Sequence, residues 1–260
     1  MHRFVRGLSD AALTLGTVMV LFAVHLLWWT NHAARAQAQD EVQRLEQQWS
    51  HPEPAAPGPA GKPYEAGPGG EGQPRRAGDR AGNRAGDVPS PGAPADVTGQ
   101  RAPARSRSFA ILRIPRLNLT VPVAEGVDKH RVLDRGFVGH YPGAALPGQI
   151  GNVALAAHRN THGEPFRHLD RVRPGDTVTL TTADGDFRYR VDSVLPRTSP
   201  DDSDTIQPVP TTAYGDGRTK AGGTKKAGYD RPGRYITLTT CTPEYTSRYR
   251  LVVWGRLLES

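Results

Sequence analysis

A single cysteine, Cys241, stands among 260 residues, so no disulfide can close within the chain. Large apolar side chains are nearly missing from residues 51–105, which hold one Tyr, two Val and no Leu, Ile, Phe, Trp or Met. The same stretch carries 11 Pro and 11 Gly, and it contains the near-repeat RAGDRAGNRAGD at 76–87. Such a segment buries too little apolar surface to offset its ordering entropy. It reads as a disordered linker over 51–107, leaving one folded domain at 108–260. As a flexible coil it would reach roughly 40 Å and let that domain work at a distance. The chain also lacks a recognition-helix pattern or an aromatic–basic platform. Its formal net charge of +7 therefore points away from nucleic acid and toward anionic membrane or wall polymer. HRNTH sets His158 and His162 four apart, but without the Glu and helix of a zinc motif. No metal and no cofactor is expected. Asp201, Asp202 and Asp204 in SPDDSDT read as a solvated acidic loop.

Long apolar runs are scarce too, with one exception. AALTLGTVMVLFAVHLLWW, residues 11–29, has no charge, and about 20 apolar residues span a bilayer as a helix. Trp28 and Trp29 sit where an interfacial pair would sit. The rival reading is a cleavable signal peptide ending at ARAQA, 34–38; the run exceeds the roughly 7–15 residues of such segments. The expectation is a cytoplasmic N-terminus at 1–10, a transmembrane anchor at 11–30, a juxtamembrane helix at 31–50 and the folded domain outside the cell. In that compartment a lone cysteine is a free reactive thiol or an intermolecular partner.

The folded part is mostly strand. FAILRIP (109–115), LTVPVAEG (119–126), RYITLTTC (234–241) and RYRLVVWGRL (248–257) are short β-branched or apolar runs, and GNVALAAH (151–158) is almost continuously apolar, as in a strand buried on both faces. DTVTLTTADGDFRYRVDSVLP (176–196) alternates around Asp-Gly, a hairpin signal. Short helices are expected near 128–134 and 164–170. Many short strands with few helices predict an all-β closed or nearly closed barrel. Residues 211–230 have no core pattern and read as a long loop.

Cys241 ends one strand and His158 ends another; Arg248 and Arg250 share a face of the next strand by its period of two. A thiol becomes a strong nucleophile beside a base or cation, and a fixed guanidinium can stabilise an oxyanion. On spacing alone, a small buried Cys, a solvated His and a surface Arg are equally open.

TLTTCTP, followed nine residues after its cysteine by Arg250 in RYRLVVWG, resembles the active-site strand pair of the sortases. GNVALAAHRNTHGEPFRHL resembles their histidine segment, and GHYPGAALPGQIGN (139–152) is similar to class E sortases of high-GC Gram-positive bacteria. The likeness covers about 108–258. It implies a closed eight-stranded β-barrel and a transpeptidase with Cys241 as nucleophile, His158 as general acid and base, and Arg250, rather than Arg248, on the oxyanion. It implies cleavage of a sorting signal, Leu-Ala-x-Thr-Gly or Leu-Pro-x-Thr-Gly, between Thr and Gly, with the Thr passed to an amine of a lipid-linked peptidoglycan precursor. Tyr141 matches the position associated with the Ala-containing signal, and Thr239 and Thr240 would flank the substrate. The partners are then signal-bearing secreted proteins, the wall precursor and the membrane. A pilin-polymerising sortase and a cysteine peptidase with water as acceptor are the alternatives; with the sequence ending at RLLES, the second span common in pilin polymerases is not expected. Two departures stand out: Ala157 where Gly often precedes the His, and a Lys- and Gly-rich insertion at 217–228.

Overall fold

The computed structural model describes residues 2–50, 103–212 and 228–259. Most of the expected linker and nearly all of the 217–228 insertion lie outside these residues. Eight strands, β1 (Ser108–Ile114), β2 (Leu119–Glu125), β3 (Val138–His140), β4 (Gly151–Ala156), β5 (Thr177–Thr182), β6 (Gly185–Thr198), β7 (Arg234–Thr242) and β8 (Tyr249–Leu257), close a barrel in the order β1-β2-β3-β4-β7-β8-β6-β5. Pairs β2/β3 and β4/β7 are parallel, and the other pairs are antiparallel. The helices expected near 128–134 and 164–170 are single 3-10 turns, Leu133–Arg135 and Leu169–Arg171. The first stops at Gly136, whose φ of +76° is a left-handed cap that costs glycine little. The β5–β6 turn falls one residue before Asp-Gly: Ala183 and Asp184 form the loop, and Gly185 opens β6 at φ +124°.

Strand alternation sorts the side chains. Leu112, Val123, Val153, Leu155, Leu180, Tyr189, Leu238 and Val253 fill the barrel. On the outer face of β4, β7 and β8, buried polar groups are tied down by the segment after β6. Asn152 Nδ2 donates to Gln207 O (3.0 Å), while Thr237 Oγ1 (3.2 Å) and Trp254 Nε1 (3.2 Å) both donate to Thr205 O. Asp202 is buried within this strap and accepts from Thr198 and Thr212. The acidic cluster is therefore not wholly a solvated loop; one carboxylate is the knot of the strap.

A single helix, α1, runs from His2 to Ser50. Its second half docks on the barrel. Ala34, Ala38, Val42 and Leu45 recur on one face and are all buried. They cover apolar side chains that alternation points outward: Ile111 beneath Val42, Leu45 and Trp49, and Ala124 beside Ala38, Val132 and Phe137. Polar contacts pin the seam. Arg113 pairs with Glu46 at 2.5 Å, and buried Glu164 accepts from Asn31 Nδ2 (3.0 Å) and Arg35 Nη2 (3.2 Å). The linker therefore does not set the distance between helix and barrel, because the two are in contact. In the first half of α1, described apolar side chains from Leu13 to Trp29 are 56–73% exposed. Among the described residues no helix is long and apolar enough to cross a membrane. Side chains 11, 12, 23, 26 and 27 of the expected span lie outside the described set.

Candidate active site

Register arithmetic brings the three residues together. In the antiparallel β7–β8 pair Cys241 lies opposite Arg250. In the parallel β4–β7 pair each β4 residue faces the residue 83 positions later, as Gly151 faces Arg234 and Ala156 faces Thr239. The Ala157 amide continues that ladder by donating to Thr239 O (3.3 Å), and the same offset carried one residue further would bring His158 level with Cys241. Adjacent strands lie about 4.8 Å apart, so a thiol, an imidazole and a guanidinium share one outer wall at the strand ends. Cys241 is a free, half-buried thiol.

Each side chain has a holder. His158 Nε2 meets Asp134 Oδ1 at 2.9 Å, and Asp134 Oδ2 meets His130 Nδ1 at 3.0 Å. Burial pushes the Asp134 carboxyl up, but the His158 hydrogen bond and the His162 and His158 charges more than offset it, leaving it below its ordinary value. Burial holds the His162 imidazole below its ordinary value, against the pull of Asp134. Arg250 Nη1 donates to Ser247 O (3.0 Å) and Tyr249 O (3.1 Å), which fixes the guanidinium at the mouth of the β7–β8 hairpin. Arg248 is exposed and lies over the Tyr249 ring at 5.4 Å, away from this pairing. Arg159, 7% exposed, donates Nη1 to Thr242 Oγ1 (3.0 Å) and Cys241 O (3.4 Å), and its Nη2 pairs with Asp170 at 3.3 Å. It braces the backbone that carries Cys241.

The flanking residues are placed as follows. Thr239 shares the outward face of Cys241, and its Oγ1 lies 3.4 Å from Tyr141 Oη while donating to Leu155 O (3.2 Å). Thr240 points the other way; it is 3% exposed, and its hydroxyl donates to Ala157 O (2.8 Å). Its side chain joins β4 to β7, so only its backbone is left for a substrate. Tyr141 follows His140, which is buried between Glu125 Oε2 (2.6 Å) and Ala145 O (3.0 Å) and pins the GHYP stretch. Ala157 is packed in the core.

Asp134, Arg159 and the Glu125–His140 pair were not visible as site residues in sequence. Arg159 had a faint signal in the His-Arg dipeptide. Asp134 had none, being 24 positions upstream of its histidine in an unremarkable VLDRG turn.

Comparison with known proteins gives a consistent picture. The sortase domain family matches residues 112–258. Sortase SrtE1 of Streptomyces coelicolor is 38% identical over 98% of this chain, and sortase SrtE2 of the same organism is 32% identical, also over 98%. The chain spans 57% of the length of the first relative and 83% of the second. The crystal structure of sortase E1 from Streptomyces coelicolor, with a tripeptide in its active site, is 47% identical and superposes with a TM-score of 0.51, covering 61% of this chain and 92% of that one.

Proposed function

This chain belongs to the sortase family, and from that premise we propose that it is a membrane-anchored cysteine transpeptidase. The observation that carries the reading is that Cys241 lies opposite Arg250 in the β7–β8 pair while the β4–β7 ladder runs to within two residues of His158. Cys241 Sγ attacks the threonine carbonyl of a Leu-Ala-x-Thr-Gly or Leu-Pro-x-Thr-Gly signal. Arg250, already oriented by two carbonyls, receives the oxyanion. His158 donates a proton to the glycine amine as it leaves, producing the thioacyl-enzyme, and takes one back from the attacking amine. Asp134 holds Nε2, so Nδ1 is the nitrogen left for the proton work. The acceptor is an amine of a lipid-linked peptidoglycan precursor, and the enzyme works at the outer face of the cell membrane. The charge-free run at 11–29 and the exposed apolar side chains of α1 support the anchor.

The full chain incubated with both peptides and an amine acceptor, read by mass spectrometry, tests this. A threonine–amine product absent in Cys241→Ala is expected; cleaved peptide without adduct would make it a hydrolase. Tyr141→Ala should change the Ala-to-Pro preference by about tenfold or more, since one pocket contact discriminates by roughly 1–3 kcal/mol. An unchanged ratio removes Tyr141 from specificity.

A further inference from the structure

The histidine segment carries more ligating groups than transpeptidation uses. Asp134, His158 and His162 each offer one ligand atom, and these atoms all lie within 4.8 Å of one another. His162 Nδ1 is buried and makes no hydrogen bond, yet it stands 3.4 Å from Asp134 Oδ1. Its backbone is left-handed, φ +53°, and the His158 and His162 ring centroids are 5.4 Å apart. A tetrahedral ion with bonds of about 2.0–2.1 Å sets its donors about 3.3 Å apart. The observed 2.9 Å between His158 and Asp134 and 3.4 Å between His162 and Asp134 bracket that spacing. Cys241 is not in this set.

We propose that Asp134, His158 and His162 form a binding site for a divalent transition ion of the Zn2+ class, and that its occupation shuts the enzyme off. Two imidazoles and one carboxylate are a borderline-soft N2O donor set, which suits zinc over calcium or magnesium. His130, bonded to the far oxygen of Asp134, holds the carboxylate in place as an outer partner. The ion replaces the proton that lies between His158 Nε2 and Asp134 Oδ1. With the ion on Nε2, Nδ1 can give up its proton only by leaving an imidazolate, so His158 no longer acts as general acid for the leaving amine. The inhibitory half rests on the role of His158 proposed above; the binding half does not.

The test uses the full chain and Co2+, whose visible absorption reports tetrahedral N/O ligation and whose near-ultraviolet charge-transfer band reports sulfur. Wild type and Cys241→Ala should show the same visible bands and no sulfur band. His162→Asn should bind at least tenfold more weakly, because Asn keeps the left-handed backbone but cannot reach Asp134. His158→Asn, read by absorption alone, should lose the bands as well. Zn2+ should inhibit wild-type transpeptidation over the range in which it displaces Co2+, a chelator should restore it, and His162→Asn should resist inhibition while keeping basal activity. A sulfur band lost in Cys241→Ala, absence of tetrahedral bands in wild type, or full affinity in His162→Asn would each overturn the site. Wild type inactive in chelator would instead count against the transpeptidase reading and leave the absorption result standing.

Discussion

Replacing Leu45 by Ala should release the second half of α1 from the barrel without unfolding the barrel. Leu45 is 3% exposed and covers Ile111, itself fully buried. Removing three carbon groups costs about 2.4 kcal/mol at ~0.8 per group, and the partly collapsed cavity raises this to about 3 kcal/mol. The whole apolar seam contributes about 5 kcal/mol gross, with Val42 and Leu45 about 2 each and the two alanines the rest. The variant therefore loses more than half of it, a shift of roughly a hundredfold in the docking equilibrium at 1.4 kcal/mol per tenfold. An undocked 20-residue helix is marginal in water, so its amides should open. Hydrogen exchange at 31–50 should accelerate roughly a hundredfold while amides of β4, β7 and β8 keep their rates. Wild-type exchange at 31–50 would mean that the Glu164 and Glu46 contacts hold the helix by themselves. Acceleration of the barrel in step would mean that helix and barrel unfold as one unit, and either result refutes the argument.

Gly136→Ala tests the same seam from below: a Cβ there would lie 2.7 Å from Ala34 O at a φ of +76°, so the variant should lose roughly 1–3 kcal/mol, read by thermal denaturation. Arg250→Lys should lower kcat by about 10^2–10^3 through loss of the oriented fork, whereas Arg248→Ala stays near wild type in the same peptide assay. Asp176, near the start of β5, is raised by burial but pulled below its ordinary 3.8 by Arg116 and the Arg173 amide. Its folded value being depressed, the stabilisation is complete above about pH 4 and vanishes as pH falls through the folded value. Asp176→Asn should thus be less stable at neutral pH in urea titrations, and the gap should narrow as the pH falls below the ordinary carboxylate range; a constant gap would show that the charge does not matter.

The pairing of Cys241 with Arg250 was legible because antiparallel register is linear in sequence. Residues 241 and 250 straddle a short hairpin, and the apolar run ending at His158 needed burial on both faces. The strand order was not legible, since two parallel pairs require crossovers that period-two patterning does not encode. Docking of α1 was hidden for a different reason. Two of its four seam residues are alanines set among Arg, Gln and Asp, so the stripe has little hydrophobic contrast, and its complement, Ile111 and Ala124, is split between two strands. Asp134 and Asp202 gained their roles only from what folding placed beside them, and nothing in VLDRG or SPDDSDT distinguishes them from other acids.

Docked α1 also turns the geometry of encounter into a problem in a plane. Asn31 and Arg35 grip residues 163–164 only two and six positions beyond Trp29, about 3 and 9 Å along the axis at 1.5 Å per residue. For the anchored enzyme proposed above, the histidine segment then hangs at a set height and compass bearing beside the lipid headgroups. A lipid-borne amine arriving by lateral diffusion meets a site that does not drift outward. The docked helix, and not the length of the 51–102 stretch, then fixes where the site stands relative to the helix.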